Sequence, residues 1–257
     1  MLSDPGRRIT RPVDAAGLVL IRDGRRGPEI LLGRRHSRAG FLPDIYVVPG
    51  GRVDPADDRP TGFPEALHPA VARQLQAGSR GRSGLAFARA AVRETFEETG
   101  LLVAAGGALA TAAAGGPWAE FAARRVGPAF AALDFICRAI TPTYSKRRYN
   151  TRFFFADGGT AIGDLAGNGE LEDLGWRPAA ELGRLPIVDV TEFMLAEALR
   201  RWERRVPIGR EPARLFCYRK DTARWRIGAG GAWRPALRTS LSTSERGSGI
   251  PAGQRLN

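Results

Sequence analysis

What the sequence lacks narrows its class first. The 257 residues include two cysteines, Cys137 and Cys217, far apart and without CxxC spacing. That pattern points away from a disulfide or a metal site and towards two reduced, buried thiols. No apolar run approaches the roughly 20 residues of a membrane-spanning helix. The first eight residues, Met1-Leu2-Ser3-Asp4-Pro5-Gly6-Arg7-Arg8, carry no apolar core of the kind found in a secretory signal, so a cytoplasmic protein is expected. There are no internal repeats. Lysine occurs only at positions 146 and 220, so nearly all of the 39 basic residues are arginine.

What is present is enough for a core, since 43% of the residues are hydrophobic. A chain of this length makes one large domain, or one domain with appendages. The net charge of +12 suits a nucleic acid, an anionic surface or a polyanionic small substrate. It is equally what an Ala-, Arg- and Gly-rich composition produces with much of the charge simply solvated.

The most informative stretch is Arg93-Glu94-Thr95-Phe96-Glu97-Glu98-Thr99-Gly100, which follows the breaker-free run Leu85 to Val92. Good helix formers there predict a helix, with Ala88, Val92 and Phe96 burying one side. Glu94, Glu97 and Glu98 then gather on another face, and Gly100 ends the helix in the left-handed conformation. Three carboxylates on one turn repel one another unless a cation intervenes. Hard divalent ions such as Mg2+ or Mn2+ prefer such oxygen ligands. A solvated acidic face is the plainer reading of the octet alone. Upstream, Ile45-Tyr46-Val47-Val48-Pro49-Gly50-Gly51-Arg52 reads as an apolar strand entering a Pro-Gly-Gly turn, where the backbone can approach a metal or phosphate.

Together these segments resemble the signature of the Nudix hydrolases, Gly-x5-Glu-x7-Arg-Glu-U-x-Glu-Glu-x-Gly-U with U aliphatic. Gly51 opens it, and Arg93, Glu94, Glu97, Glu98, Gly100 and Leu101 close it. Gly51 and Arg93 are 42 positions apart where the pattern has 14, so about 28 residues are inserted. The internal Glu falls on Asp57 counting from Gly51 and on Leu85 counting from Arg93, and Thr95 replaces an aliphatic residue. The resemblance implies an α/β fold, a Nudix-type α/β/α sandwich with a mixed sheet, here with a C-terminal appendage.

In chain order, residues 1–12 read as a loose arm, 13–205 as the Nudix domain with 52–84 as the insertion, and 206–257 as a C-terminal hairpin and flexible tail. Ala15 to Ile21 and Glu29 to Arg35 are strands around the Asp23-Gly24 turn. Within the insertion, Pro64 to Ala77 holds a short helix containing His68, and Gly78 to Gly84 a basic link. Leu101 to Ala105 is a strand, and Leu109 to Val126 is helical with a break at Gly115-Gly116-Pro117. Phe130 to Ile140 is a strand, alone or after a turn. In Tyr149 to Ala156, Phe153 and Phe155 fill the core while Arg152 faces a site or solvent. Pro186 to Arg204 is a closing helix with Thr191 as a cap. Leu215 to Tyr218 and Trp225 to Ile227 flank Lys220-Asp221 as a hairpin, and the chain from Gly228 onward is expected to be loosely packed.

The resemblance implies metal-dependent hydrolysis of a diphosphate linked to another moiety. Residue by residue, Glu97 and Glu98 match the main ligands of Mg2+ or Mn2+, Glu94 a further ligand or base, and the Gly50 carbonyl another ligand. Arg93 matches a strut beside the catalytic carboxylates. Candidate substrate-binding residues are Arg34, Arg35, Gly51, Arg52 and Arg152, while His36 is read as a loop residue. A distal base is expected from Glu170 or Glu172, although a solvated turn is an equal reading. The segment Phe41 to Pro55, the insertion and Asn150-Thr151-Arg152-Phe153-Phe154 are similar to the coenzyme A diphosphatases. That similarity implies cleavage of coenzyme A or acyl-coenzyme A to adenosine 3′,5′-bisphosphate and 4′-phosphopantetheine. ADP-ribose, a nucleotide sugar or an oxidised nucleoside triphosphate stay open, as does a non-catalytic nucleotide sensor or nucleic-acid-binding module. The expected partner is a small phosphoanhydride, with no membrane or nucleic acid, and a homodimer through the C-terminal hairpin stays open.

Overall fold

The computed structural model describes residues 10–77, 81–106, 115–219, 222–228 and 230–236. Strand β1 (Val13–Gly24) and β2 (Gly27–Arg35) form the expected antiparallel hairpin. Two short strands follow, β3 (Tyr46–Val47) on β2 and β4 (Gly50–Arg52) on β1. Helix α1 (Pro69–Gln76) lies in the insertion, and α2 (Gly84–Thr99) is the acidic helix. Then come β5 (Leu102–Gly106), α3 (Trp118–Ala123), β6 (Val126–Pro128), β7 (Asp134–Ile140), β8 (Tyr149–Asp157), β9 (Ala161–Ile162) and β10 (Leu171–Pro178). Helix α4 (Asp189–Glu203) precedes β11 (Arg214–Arg219), β12 (Thr222–Ile227) and β13 (Arg234–Pro235).

The main sheet runs β10-β2-β1-β8-β7-β11-β12-β13, and β5 forms a smaller sheet with β6 and β9. It is mixed, because β8 runs parallel to β1 and β11 parallel to β7. Residues 15–21 of β1 are buried without alternation, since helices cover both faces. Leu18 and Leu20 pack with Phe87, Val92 and Phe154 on the α2 side, while Val19 and Ile21 pack with Met194, Leu195 and Phe216 on the α4 side. The result is a three-layer α/β/α arrangement.

Helix α2 has a clear start and stop. Ser83 accepts a hydrogen bond from the Leu85 amide, and Gly100, at φ 74°, donates its amide to the Phe96 carbonyl. The helix is covered more widely than a single stripe, with residues 86–93 all buried, because the insertion packs onto it through Phe63, Val71 and Leu75. Helix α1 starts at Pro69 rather than Pro64, and His68 caps it by accepting from the Ala70 amide. Residues 78–80 of the basic link, and 109–114 of the stretch expected to be helical, lie outside the described residues.

Two further expectations are corrected. Thr191 is not the cap of α4: it is buried within the helix, and the cap position belongs to Val188. The strand parity of β8 puts Asn150, Arg152 and Phe154 on its fully buried face, leaving Phe153 and Phe155 only partly buried against α4. The C-terminal appendage is docked. Strand β11 continues the sheet beyond β7, Phe216 is buried, and Phe193 packs on Phe216 and Trp225 with ring centroids 5.2 and 5.6 Å apart. Residues 237–257 lie outside the described residues. Both cysteines are free, Cys137 buried and Cys217 half-buried. Among the described residues no helix is long and apolar enough to cross a membrane.

Phe216→Ala removes a ring from the α4-side core and is expected to lower stability by about 3–5 kcal/mol, read from urea denaturation. An unchanged midpoint would show that the hairpin does not hold this position in solution.

Candidate active site

The site begins with a close approach of backbones. Gly50 and Gly51 pair with Gly17 and Ala16 of β1. A Cβ at Gly50 would lie 2.5 Å from the Ala16 carbonyl oxygen, and one at Gly51 would lie 2.4 Å from the Glu94 carboxyl group. A side chain at Gly50 would therefore push this strand off β1, and one at Gly51 would displace the Glu94 carboxyl group. The glycine turn also holds that helix by hydrogen bonding, since the Gly50 amide donates to Glu98 Oε2 at 2.8 Å.

Arg93 stands at the centre of the acidic turn. Its Nε and Nη2 donate to the two oxygens of Asp57 at 3.0 and 2.9 Å, and Nη2 also reaches the Arg52 carbonyl at 3.0 Å. Its Nη1 donates to Glu94 at 2.9 Å and Glu97 at 2.7 Å. Burial works against the Arg93 charge, but Asp57, Glu94 and Glu97 outweigh it and hold the guanidinium more firmly protonated than usual. One turn earlier, Arg89 forks onto Glu65 and donates to the Asp57 carbonyl at 2.8 Å. Two arginines of one helix face therefore pin the insertion in place.

The carboxylates carry the electrostatic cost of this arrangement. Burial pushes Glu98 up to about 8, with Glu94 and Glu170 adding to the rise and the Gly50 amide and Arg35 opposing it. Burial likewise pushes Glu94 up to about 7, opposed by Arg93 and reinforced by Glu97 and Glu170. Glu98, Glu170, Arg35, His36 and Arg38 together line a cleft of about 270 Å³. The lining of the cleft thus carries both signs of charge.

The other sequence-selected residues divide clearly. Arg35 lines the cleft, and its buried Nε has no hydrogen-bond partner among the described residues. Arg34 is held between Asp44 at 3.0 Å and Glu172 at 2.7 Å. Glu172 also lies 3.5 Å from His36, so it braces the loop, whereas Glu170 lines the cleft. Arg52 contributes its carbonyl to Arg93 and leaves its side chain exposed. Arg152 is corrected from a residue facing a site or solvent. Its side chain is 0% exposed, with the guanidinium carbon 3.6 Å from the centre of the Phe87 ring and Nη1 3.8 Å from Asp14. The parity of β8 turns it under α2, where it packs instead of meeting a ligand. Asp57, Glu65 and Arg89 were not selected from sequence. The count of six from Gly51 found Asp57, but only the structure shows it gripping Arg93.

Among the described residues no three acidic, histidine or cysteine side chains stand close enough together to enclose a cation, because Glu94 and Glu97 turn towards Arg93. The donor chemistry nevertheless fits a hard divalent ion. The available groups are carboxylate and carbonyl oxygens, which such ions prefer.

A mixed sheet between helices carries an Arg-Glu-x-x-Glu-Glu helix braced on a Gly-Gly strand. The NUDIX domain matches residues 11–196, and the chain belongs to the Nudix family. It is 33% identical over 124 residues to the acyl-coenzyme A diphosphatase NUDT19 of Gallus gallus, a match covering 40% of this chain and 30% of that protein. The chain therefore spans less than a third of that relative. It is also similar to a NUDIX hydrolase from Alicyclobacillus acidocaldarius, at 28% identity and a TM-score of 0.55, covering 75% of this chain and 93% of the other.

The raised carboxylates predict the pH dependence of stability. Acids whose folded pKa lies above the unfolded value bind extra protons when folded, so stability falls as pH rises from about 4.5 to about 8. In EDTA-treated protein the melting temperature is expected to fall across that window, by about 2–4 °C per kcal/mol lost. Glu98→Gln should flatten the fall. A melting temperature that rises from pH 5 to pH 8 would contradict the assignment.

Proposed function

We propose that the protein hydrolyses the diphosphate linkage of a nucleoside diphosphate derivative, with coenzyme A or acyl-coenzyme A as substrate. The products are adenosine 3′,5′-bisphosphate and 4′-phosphopantetheine. The observation carrying the reaction is a cleft lined both by Glu98 and Glu170 and by Arg35, His36 and Arg38. A diphosphate placed there would meet guanidinium donors as well as carboxylates able to bind its cations. The substrate choice is supported by the similarity to an acyl-coenzyme A diphosphatase and by the insertion between the glycine turn and the acidic helix.

Glu94, Glu97, Glu98 and the Gly50 carbonyl would hold Mg2+ or Mn2+. Such an ion neutralises phosphoryl charge and acidifies a bound water. The chain's own residues do the rest. Arg93 fixes Glu94 and Glu97 relative to the glycine turn, and Asp57 fixes Arg93. Arg35 lines the cleft, where its guanidinium would meet the phosphate. Glu170 is placed on the cleft wall to take the proton from the attacking water, whose oxygen bonds to one phosphorus as the anhydride oxygen leaves with the other. The free cysteines are consistent with a cytoplasmic location.

Side-by-side assays of coenzyme A, ADP-ribose, NADH and 8-oxo-dGTP with Mg2+ or Mn2+ test this reading. Coenzyme A is expected to be turned over preferentially. Glu98→Gln is expected to lower kcat by at least about a hundredfold, beyond the loss usual for an outer partner of a metal ligand, with the near-UV circular dichroism retained. Preference for another substrate would overturn the coenzyme A assignment. Silence on all four, with the metal still bound, would overturn hydrolysis and favour a nucleotide sensor.

A further inference from the structure

The loop that carries the basic lining of the cleft is closed at its base and propped on its far side. Residues 36–44 leave β2 and return to it, with the Arg35 amide donating to the Ile45 carbonyl and the Asp44 amide to the Arg35 carbonyl. Phe41 meets Tyr149 edge to face, with ring centroids 5.1 Å apart, which joins the loop to the start of β8. Close to that contact the guanidinium of Arg147 lies against Gly40. A Cβ at Gly40 would stand 2.9 Å from the guanidinium carbon, so the bare backbone of a glycine gives Arg147 its seat.

Gly40 directly follows Arg38 and Ala39, which line the cleft. Neighbouring Cα atoms are about 3.8 Å apart, so Arg147 touches the chain one residue beyond that lining. Arg38 and Arg147 are both exposed. Among the described residues neither guanidinium is in an ion pair, while the carboxylates of this neighbourhood are engaged elsewhere. Arg34 holds Asp44 and Glu172, His36 lies 3.5 Å from Glu172, and Arg177 holds Asp173.

Two guanidinium groups with free donors at the rim of a diphosphate cleft suit one further phosphate. A phosphate monoester carries roughly −1.5 to −2 charge at neutral pH, and charge-assisted hydrogen bonds to arginine hold it well. A ribose hydroxyl in the same place offers no charge to either group. In coenzyme A such a monoester sits on the same ribose as the diphosphate, at the 3′ position. With the diphosphate in the cleft, a group one ribose away falls at the Gly40 end of the loop.

We infer that Arg38 and Arg147 form a second anion subsite at the rim of the cleft, which reads a phosphate monoester on the ribose of the substrate, the 3′-phosphate of coenzyme A. This subsite rests on the diphosphate reading of the cleft and adds to it the residues that tell coenzyme A from its 3′-dephospho form.

Adenosine 3′,5′-bisphosphate and adenosine 5′-monophosphate differ only in that phosphate. In calorimetry on the full chain with Mg2+, the bisphosphate is expected to bind about tenfold more tightly, the size of one hydrogen bond to a charged group. Arg147→Gln should bring the two Kd values together and raise KM for coenzyme A towards that for 3′-dephospho-coenzyme A. Arg147→Lys, which keeps the charge, should retain part of the preference. Arg26→Gln removes an arginine whose side chain is 80% exposed, at the far end of the β1–β2 hairpin, and should leave the preference as it is. Equal affinity of the wild type for the two nucleotides would overturn the subsite. So would a loss of preference as large in Arg26→Gln as in Arg147→Gln, which net charge alone would produce. Tighter binding of adenosine 2′,5′-bisphosphate than of the 3′,5′ isomer would overturn the 3′ assignment. Turnover of coenzyme A is measured separately, and its absence with the bisphosphate still preferred would overturn hydrolysis while the subsite stands.

Discussion

The grip of Arg93 on its surroundings is the constraint on which the site depends. One guanidinium joins the insertion through Asp57, the strand after the glycine turn through the Arg52 carbonyl, and the acidic helix through Glu94 and Glu97. A buried charge of this kind is tolerable only when every donor is met, and all three nitrogens of Arg93 are. The same bonds keep two carboxylates from flying apart, so the helix can carry a charge cluster at its buried end without losing its packing. The cation that the carboxylates would bind then enters a framework that is already assembled.

The insertion is part of this framework. Arg89 and Arg93 lie one turn apart on α2 and reach, respectively, Glu65 and Asp57, at opposite ends of the first irregular stretch. Burial opposes the charge of Glu65, but Arg89 and the Thr61 amide keep its carboxyl below the usual range. Helix α1 adds an apolar cover through Val71 and Leu75. A segment that separates the two halves of the signature in sequence therefore brings them together in space, because it supplies the acid that Arg93 requires.

A comparable ionic cluster braces the other side of the sheet. Arg201, fully buried, joins Asp134, Glu197 and the Pro212 carbonyl, and Arg200 and Arg214 link Glu197 to Glu211. This cluster ties α4 to β7 and to the chain entering β11. Much of the arginine in the composition is thus structural and paired within the fold, and the net positive charge is a poor guide to partners. Of the basic residues, Arg35, His36 and Arg38 line the cleft.

The sequence by itself determined the acidic helix and its stop, the glycine turn, the first hairpin and the family. These rest on local rules: helical spacing, a left-handed glycine stop and the close approach that only glycine permits. It also placed Glu94, Glu97 and Glu98 on one turn, because i, i+3 and i+4 spacing is a property of the helix alone. Tertiary structure decided what depends on which face is covered. Strand alternation correctly separated Arg152 from Phe153, but in a sheet covered on both faces it does not say which side is more deeply buried, and Arg152 went under Phe87. Thr191 resembled a cap, yet packing drew the helix start back to Val188. Glu170 and Glu172 are indistinguishable in sequence. They part only because Arg34 and His36 occupy one of them while the cleft opens onto the other. Asp57 was reachable by counting, but its pairing with a residue 36 positions away exists only once the insertion has folded onto the helix.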